Sequence, residues 1–284
     1  MGKYSDQVIQ ANTSPKLVDT NNNLGFLTGN TIKIIAIISM FIDHFNKIIL
    51  TPLMPNGWLL PFLIHNFSRS QIEFIEKIIR YGLSGAGRIA FPLFCFLLAE
   101  GFHYTKNRKR YLTLMAVFSL LSEIPFDLAF FGEITREMGT FPFYFKYQNV
   151  FFTLFLGLCA LWCIDNVKIK SNKPFAKIIS IVFKTLCVLS ICQIATIICS
   201  DYKFRGILFI VGFYLTRKNK LIQTTLFLVI YALVYRATPS VFILFSAIIL
   251  FLYNGKRGTL NLKYFFYFFY PVHLFLIYLL NLAI

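Results

Sequence analysis

The sequence predicts an all-α, polytopic integral membrane protein: a helical bundle of about nine transmembrane helices, N-terminus in the cytoplasm and C-terminus outside. Three observations predict it: the composition, the spacing of the apolar runs and the placing of the basic loops. Of 284 residues, 57% are hydrophobic and 14% charged, with 34 Phe. Soluble domains sit at about half apolar and about a quarter charged, so both departures point to a surface covered by lipid.

Apolar runs occupy residues 32–50, 83–103, 111–131, 147–165, 177–199, 204–216, 221–236, 240–254 and 264–283. A straight crossing needs about 20 residues. The sixth, seventh and eighth runs are short, and are expected to be tilted, broken or re-entrant.

The loops set the orientation. Lys106, Arg108, Lys109 and Arg110 follow the second run; Lys168, Lys170, Lys173 and Lys177 the fourth. Arg217, Lys218 and Lys220 follow the sixth; Lys256, Arg257 and Lys263 the eighth. In the intervening loops Glu133 and Glu137 balance Arg136 and Lys146, and Asp201 offsets Lys203. Cytoplasmic loops carry the excess of Lys and Arg, so the even-numbered exits face the cytoplasm. The net charge of +16 is therefore read as topology; it predicts no nucleic-acid partner.

Residues 1–30 are polar and lack an apolar segment after a basic start, so a cytoplasmic tail is expected ahead of a membrane domain at 31–284. The loop 51–82 departs from the charge pattern. Its Ile72, Ile75, Ile78 and Ile79 fall at helical spacing beside Glu73, Glu76 and Lys77, which predicts an amphipathic helix on the outer interface or capping a cavity. The six cysteines all lie in apolar stretches without metal-ligand spacing, and no metal is expected.

Ionisable residues inside spans face cavities or partners, because lipid cannot solvate them. The first run carries Asp43 and His44. Helix neighbours point about 100° apart, so Asp43 is expected to pair with Lys47, leaving His44 on another face without a local partner. The second run carries Arg88 four residues before Pro92, which lacks an N–H; a kink and a freed Arg88 carbonyl are expected. In the third run Glu123 and Asp127 share a face if the helix continues through Pro125. Two carboxylates that close in low dielectric cannot both stay ionised without a cation: either one is protonated or Arg88 lies between them. Gln148 and Asn149 open the fourth run at similar depth, and His273 lies near the middle of the last.

At these residues the sequence resembles the TraX family of membrane acetyltransferases, named for the enzyme that N-acetylates conjugative pilin. The stretches that carry the likeness are TIKIIAIISMFIDH (31–44), GRIAFPLFCFLLAEGF (87–102), SEIPFDLAF (122–130), QNVFFTL (148–154) and YFFYPVHL (267–274). The family is similar to a wider superfamily of polytopic acyltransferases that draw on cytoplasmic acyl-CoA and use a membrane-embedded His in an early helix. The resemblance implies that role for His44.

It further implies an acetyltransferase of the bacterial cytoplasmic (inner) membrane, with acetyl-CoA as donor and an envelope protein or glycan as acceptor. His44 is expected as general base. Arg88 is expected to stabilise the oxyanion or hold Glu123 and Asp127, which complete the catalytic set. Asp43, Gln148, Asn149 and His273 are expected to line the substrate site, and Arg108, Lys109 and Arg110 to dock the CoA phosphates. Direct transfer and an acetyl-histidine intermediate both stay open. The rival class is a non-enzymatic multi-pass transporter or flippase, whose buried charges would line a path.

Overall fold

The computed structural model describes residues 25–56, 59–167, 174–260 and 263–284. Lys168, Lys170, Lys173 and most of the N-terminal tail lie outside the described residues. Among those described the fold is all-helical, with no strand; two isolated backbone bridges join Leu27 to Tyr253 and Gln148 to Ser200.

Each apolar run becomes helix. Helix α1 (Gly29–Phe45) is capped by Thr28 and continues through a π-helical stretch (Asn46–Leu50) into α2 (Thr51–Asn56). Short helices α3 (Leu59–Asn66) and α4 (Arg69–Lys77) follow, and Ser68 and Gln71 form a capping box on α4. This is the amphipathic helix expected in the 51–82 loop; Phe74 on it is exposed. Together α2, α3, α4 and the helical stretch that follows them enclose a small core of their own around Met54, Leu63 and Ile79. A second π-helical stretch (Ile78–Leu83) leads to α5 (Ser84–Gly87) and α6 (Ala90–Tyr104).

The kink expected at Pro92 is present, and Pro125 sits in a different setting. A turn at Arg88–Ile89 separates α5 from α6, where Pro92 deprives the Arg88 carbonyl of its donor. The third run is not one smooth helix over 111–131. It is α7 (Arg108–Leu121) and α8 (Glu123–Glu137), broken at Ser122. Pro125 thus falls in the first turn of α8, where its missing N–H costs no hydrogen bond. Glu123 and Asp127 do share one helix face.

The remaining helices are α9 (Val150–Asn166), α10 (Pro174–Ile197), α11 (Lys203–Thr216), α12 (Lys220–Tyr235), α13 (Val241–Phe251) and α14 (Lys263–Ala283). Five helical segments are long and apolar enough to cross a membrane: Gly29–Met54, Arg69–Tyr104, Arg108–Glu137, Pro174–Ile197 and Tyr264–Ala283. Helices α9, α12 and α13 are apolar but shorter. α9 and α11 sit centrally: α9 packs on α7, α10 and α11, while α11 packs on α6, α9, α10 and α12. α14 lies along α8 and touches α1. The main core joins α1, α6, α9, α11, α13 and α14 through Phe96, Leu158, Ile210 and Leu274. The outward faces stay apolar, as on α10, where Ile181 is 64% exposed. Such a surface is stable against lipid and unstable against water.

Charge is sorted between the two ends of the bundle. One end holds Arg108 paired with Asp165, Arg110 bonded to the Tyr264 hydroxyl (2.9 Å) and the Arg257 carbonyl accepting from the Asn30 N–H (2.9 Å). The opposite end holds Asp43, His44, Lys47, Tyr147 and Asp201.

Candidate functional site

Helix α1 buries Ile32, Ala36 and Met40 along one stripe. His44 continues that stripe one turn past Met40 and meets α14; Asp43, a turn past Ser39, meets α5 instead. The angular separation expected from the sequence is what the structure contains. Asp43 Oδ2 accepts from Lys47 Nζ at 2.6 Å. It lies so close to α5 that a Cβ on Gly87 would fall 2.2 Å from Asp43 Cβ, so only glycine fits there.

His44 has a partner that no local pattern reveals. Its Nδ1 lies 2.7 Å from Nε2 of His273, 229 positions later, and the two ring planes differ by 4°. His273 is 3% exposed, and its Nδ1 lies 2.7 Å from the Phe269 carbonyl. A carbonyl only accepts, so His273 Nδ1 carries a proton. In the neutral ring His273 Nε2 is then an acceptor, and His44 must donate from Nδ1. The lone pair of His44 is thereby left on Nε2, which has no protein partner among the described residues. Phe130 and Tyr270 pack edge-on against the His44 ring, centroids 5.5 and 6.0 Å away.

Glu123, Asp127 and Asn149 form the joint between α8 and α9. Asn149 caps α9, its Oδ1 accepting from Phe151 N–H at 2.9 Å, and is fully buried. Its Nδ2 donates to Glu123 Oε2 and, at 2.8 Å, to the Ser119 carbonyl. Asp127, 1% exposed, accepts from the Tyr144 N–H at 2.9 Å. Glu123 Oε1, Asp127 Oδ1 and Ser122 Oγ are buried with no hydrogen-bond partner among the described residues. Of the two arrangements the sequence left open, Arg88 between these carboxylates is not the one found. It makes no ion pair with either and sits exposed in the α5–α6 turn, near enough to Asp43 to act on it electrostatically.

Tyr270 and Asp201 were not singled out from the sequence. Buried Tyr270 packs against His44, His273 and Phe151 and meets the Val150 amide, linking the histidine pair to the start of α9. Its signal was the stripe Tyr267, Tyr270, Leu274 and Ile277 on α14, which His273 extends. Asp201, in the connection between α10 and α11, accepts from the Tyr147 hydroxyl at 2.8 Å. Burial pushes its carboxyl up to about 6, with the Tyr147 hydrogen bond pulling the other way. Gln148 joins neither group: its Nε2 donates to the Phe145 carbonyl at 3.1 Å, and it lines a separate hollow of about 490 Å³ with Phe152, Ile197 and Cys199.

The expected phosphate dock is divided at the basic end. Arg108 is committed to Asp165, which also accepts from the Tyr214 hydroxyl at 3.2 Å, and lies 4.6 Å over the Phe102 ring. Arg110 reaches Tyr264. A hollow of about 550 Å³ lies here, lined by Thr105, Lys106, Asn107, Arg108, Lys109 and Trp162. From Asn30 at this end to His44 is fourteen residues of α1, or about 21 Å at 1.5 Å per residue. Among the described residues no cluster of three or more His, Cys, Asp or Glu side chains is placed to hold a metal ion.

Residues 28–281 match the family described as TraX protein, which takes in every element of the histidine site and the basic end. The chain belongs to the TraX family. This TraX chain is also similar to the probable fimbrial assembly protein FimC, serogroup H1, of Dichelobacter nodosus. The two are 27% identical over 248 residues, covering 86% of this chain and 91% of that one. No solved structure matches the TraX chain.

Proposed function

We propose that this TraX chain is a membrane-embedded acetyltransferase that moves an acetyl group from acetyl-CoA to an amine or hydroxyl of a cell-envelope acceptor, a pilin N-terminus or a glycan. The observation that carries the reading is the His44–His273 pair, which leaves His44 Nε2 as a free base at the end of a fixed hydrogen-bond chain. In this reading His44 Nε2 takes the proton of the acceptor as its nitrogen or oxygen attacks the thioester carbonyl. The carbon–sulfur bond then breaks, and the imidazolium returns the proton to the leaving thiolate. Arg88, the nearest unpaired guanidinium on the α1 side, stabilises the oxyanion. Glu123, Asp127 and Asn149 hold the start of α9 against Tyr270, and Asp43 borders the acceptor's approach. Family membership supports the same chemistry, since the TraX family is known for pilin acetylation, and the relative's name places that protein in fimbrial assembly.

The same reading sets the chain in the bacterial inner membrane with nine spans, N-terminus inside, the basic end in the cytoplasm where acetyl-CoA is found, and the histidine site toward the outer half. Two measurements test it. Purified protein should release CoA from acetyl-CoA in the presence of acceptor, and envelope lacking the protein should lose one acetyl group by mass spectrometry. A transporter would do neither. In a Cys-free background, single cysteines at Asn107 and Asn219 should resist a membrane-impermeant thiol reagent in intact cells, while one at Thr140 labels; Ser200, in the same class of loop by charge, is fully buried and cannot report. Labelling at Asn219 without lysis would reverse the orientation.

A further inference from the structure

The donor's point of attachment is a question of which cations at the basic end are free to hold phosphate. Arg108 is neutralised by Asp165 and sandwiched over Phe102. Arg110 is turned to Tyr264. Arg217 folds back on its own helix, its Nη1 donating to the Tyr214 carbonyl at 2.8 Å and its guanidinium 4.5 Å over the Tyr214 ring. Lys106 and Lys109 differ: both are exposed, neither makes an ion pair among the described residues, and both line the 550 Å³ hollow. Trp162 also lines that hollow, half-buried and packed against the core, so its ring is held in place while the lysines stand exposed.

A fixed indole beside two unpaired ammonium groups matches one ligand chemistry, a purine base carrying phosphates. The base stacks on the ring and the phosphates meet the cations. We propose that this hollow seats the nucleotide end of the acyl donor, with the adenine on Trp162 and the phosphates on Lys106 and Lys109, and that Arg108 and Arg110 only hold the loop in shape. The inference rests on the acetyl-CoA reading above and gives that reading its donor site. Volume is consistent with it: small-ligand sites run from about 300 to 1,000 Å³. A phospholipid headgroup offers the same charge without the base, and the ring is what favours the nucleotide.

The chain has two tryptophans, Trp58 and Trp162. In Trp58→Phe protein the Trp162 emission is the sole indole signal, and it should be quenched saturably by adenosine 3′,5′-bisphosphate. Pyrophosphate, with charge and no base, should leave the emission unchanged. Lys106→Ala with Lys109→Ala should raise the apparent Kd roughly tenfold, the worth of two exposed charge contacts, and Arg110→Ala should change it by less than about twofold. Added salt should weaken binding in the parent and much less in the double variant. Equal quenching by pyrophosphate, or a Kd unmoved by the double variant in protein that elutes as folded, would overturn the seat. Turnover of acetyl-CoA without any Trp162 response would also overturn it and leave the acetyltransferase reading standing. A saturable response in protein that transfers no acetyl group would support a nucleotide seat and remove that reading.

Discussion

Replacing His44 with alanine is expected to abolish acetyl transfer while leaving abundance and detergent stability close to those of the parent. General-base catalysis contributes about 10²- to 10⁴-fold, so residual turnover should be barely measurable. The structure gives a reason for the protein to survive the change. His44 is half-buried and its ring is held by one hydrogen bond and the edges of Phe130 and Tyr270, so its removal leaves His273 still bonded to the Phe269 carbonyl. The freed His273 Nε2 faces the space that the imidazole leaves, where water can replace the lost donor. A purely structural histidine would behave in the opposite way, with yield or melting temperature falling and specific activity surviving. Initial rates with labelled acetyl-CoA, normalised to folded protein, separate the two. Near-parental specific activity in His44→Ala would move the base to Glu123 or Asp127.

The membrane character and the helical fold were legible because they depend on composition and on runs of apolar residues, which are local. The Asp43–Lys47 pair was legible for the same reason, being one helical turn, and Asn149 stands where an N-cap residue is expected before an apolar run. Proline chemistry foretold the break at Arg88. At Pro125 the helix continues, as the shared face of Glu123 and Asp127 required, but the sequence does not say that a new helix starts two residues earlier. What periodicity could not supply was adjacency between remote helices. His44 appeared to lack a partner because its partner is on the last helix, and nothing in the spacing says that α14 lies beside α1. Charge alone left two ways to accommodate Glu123 and Asp127, a protonated carboxyl or Arg88 between them; Arg88 stands instead in the turn before α6, within electrostatic reach of Asp43. Arg108 looked like a free phosphate ligand because Asp165, at the edge of an apolar run, gave no sign of lying beside it.

Exchanging His273 for phenylalanine tests the hydrogen-bond chain itself, and a loss of about 10²-fold in kcat is expected with KM for acetyl-CoA little changed. The geometry puts His273 one residue away from the reacting atoms. It touches His44 Nδ1, about 21 Å of helix from the nucleotide end by the α1 rise, so donor binding has no reason to sense it. Without an acceptor at His273 Nε2, the His44 proton is free to sit on either ring nitrogen, and the tautomer with Nε2 protonated cannot act as a base toward the acceptor. A misassigned tautomer costs a Ser-His-Asp triad about 10⁴-fold, and an undirected one should cost less, since part of the population stays competent. Phenylalanine keeps the ring volume against Phe269 and Tyr270, which limits the packing loss. His273→Gln should recover part of the rate, because a side-chain carbonyl can accept from His44 Nδ1 where phenylalanine cannot. A structural role would give a different pattern, with phenylalanine tolerated and the more polar glutamine the worse of the two in this buried position. Equal kcat in His273→Phe and parent would break the chain from His273 to His44 and leave His44 to act alone.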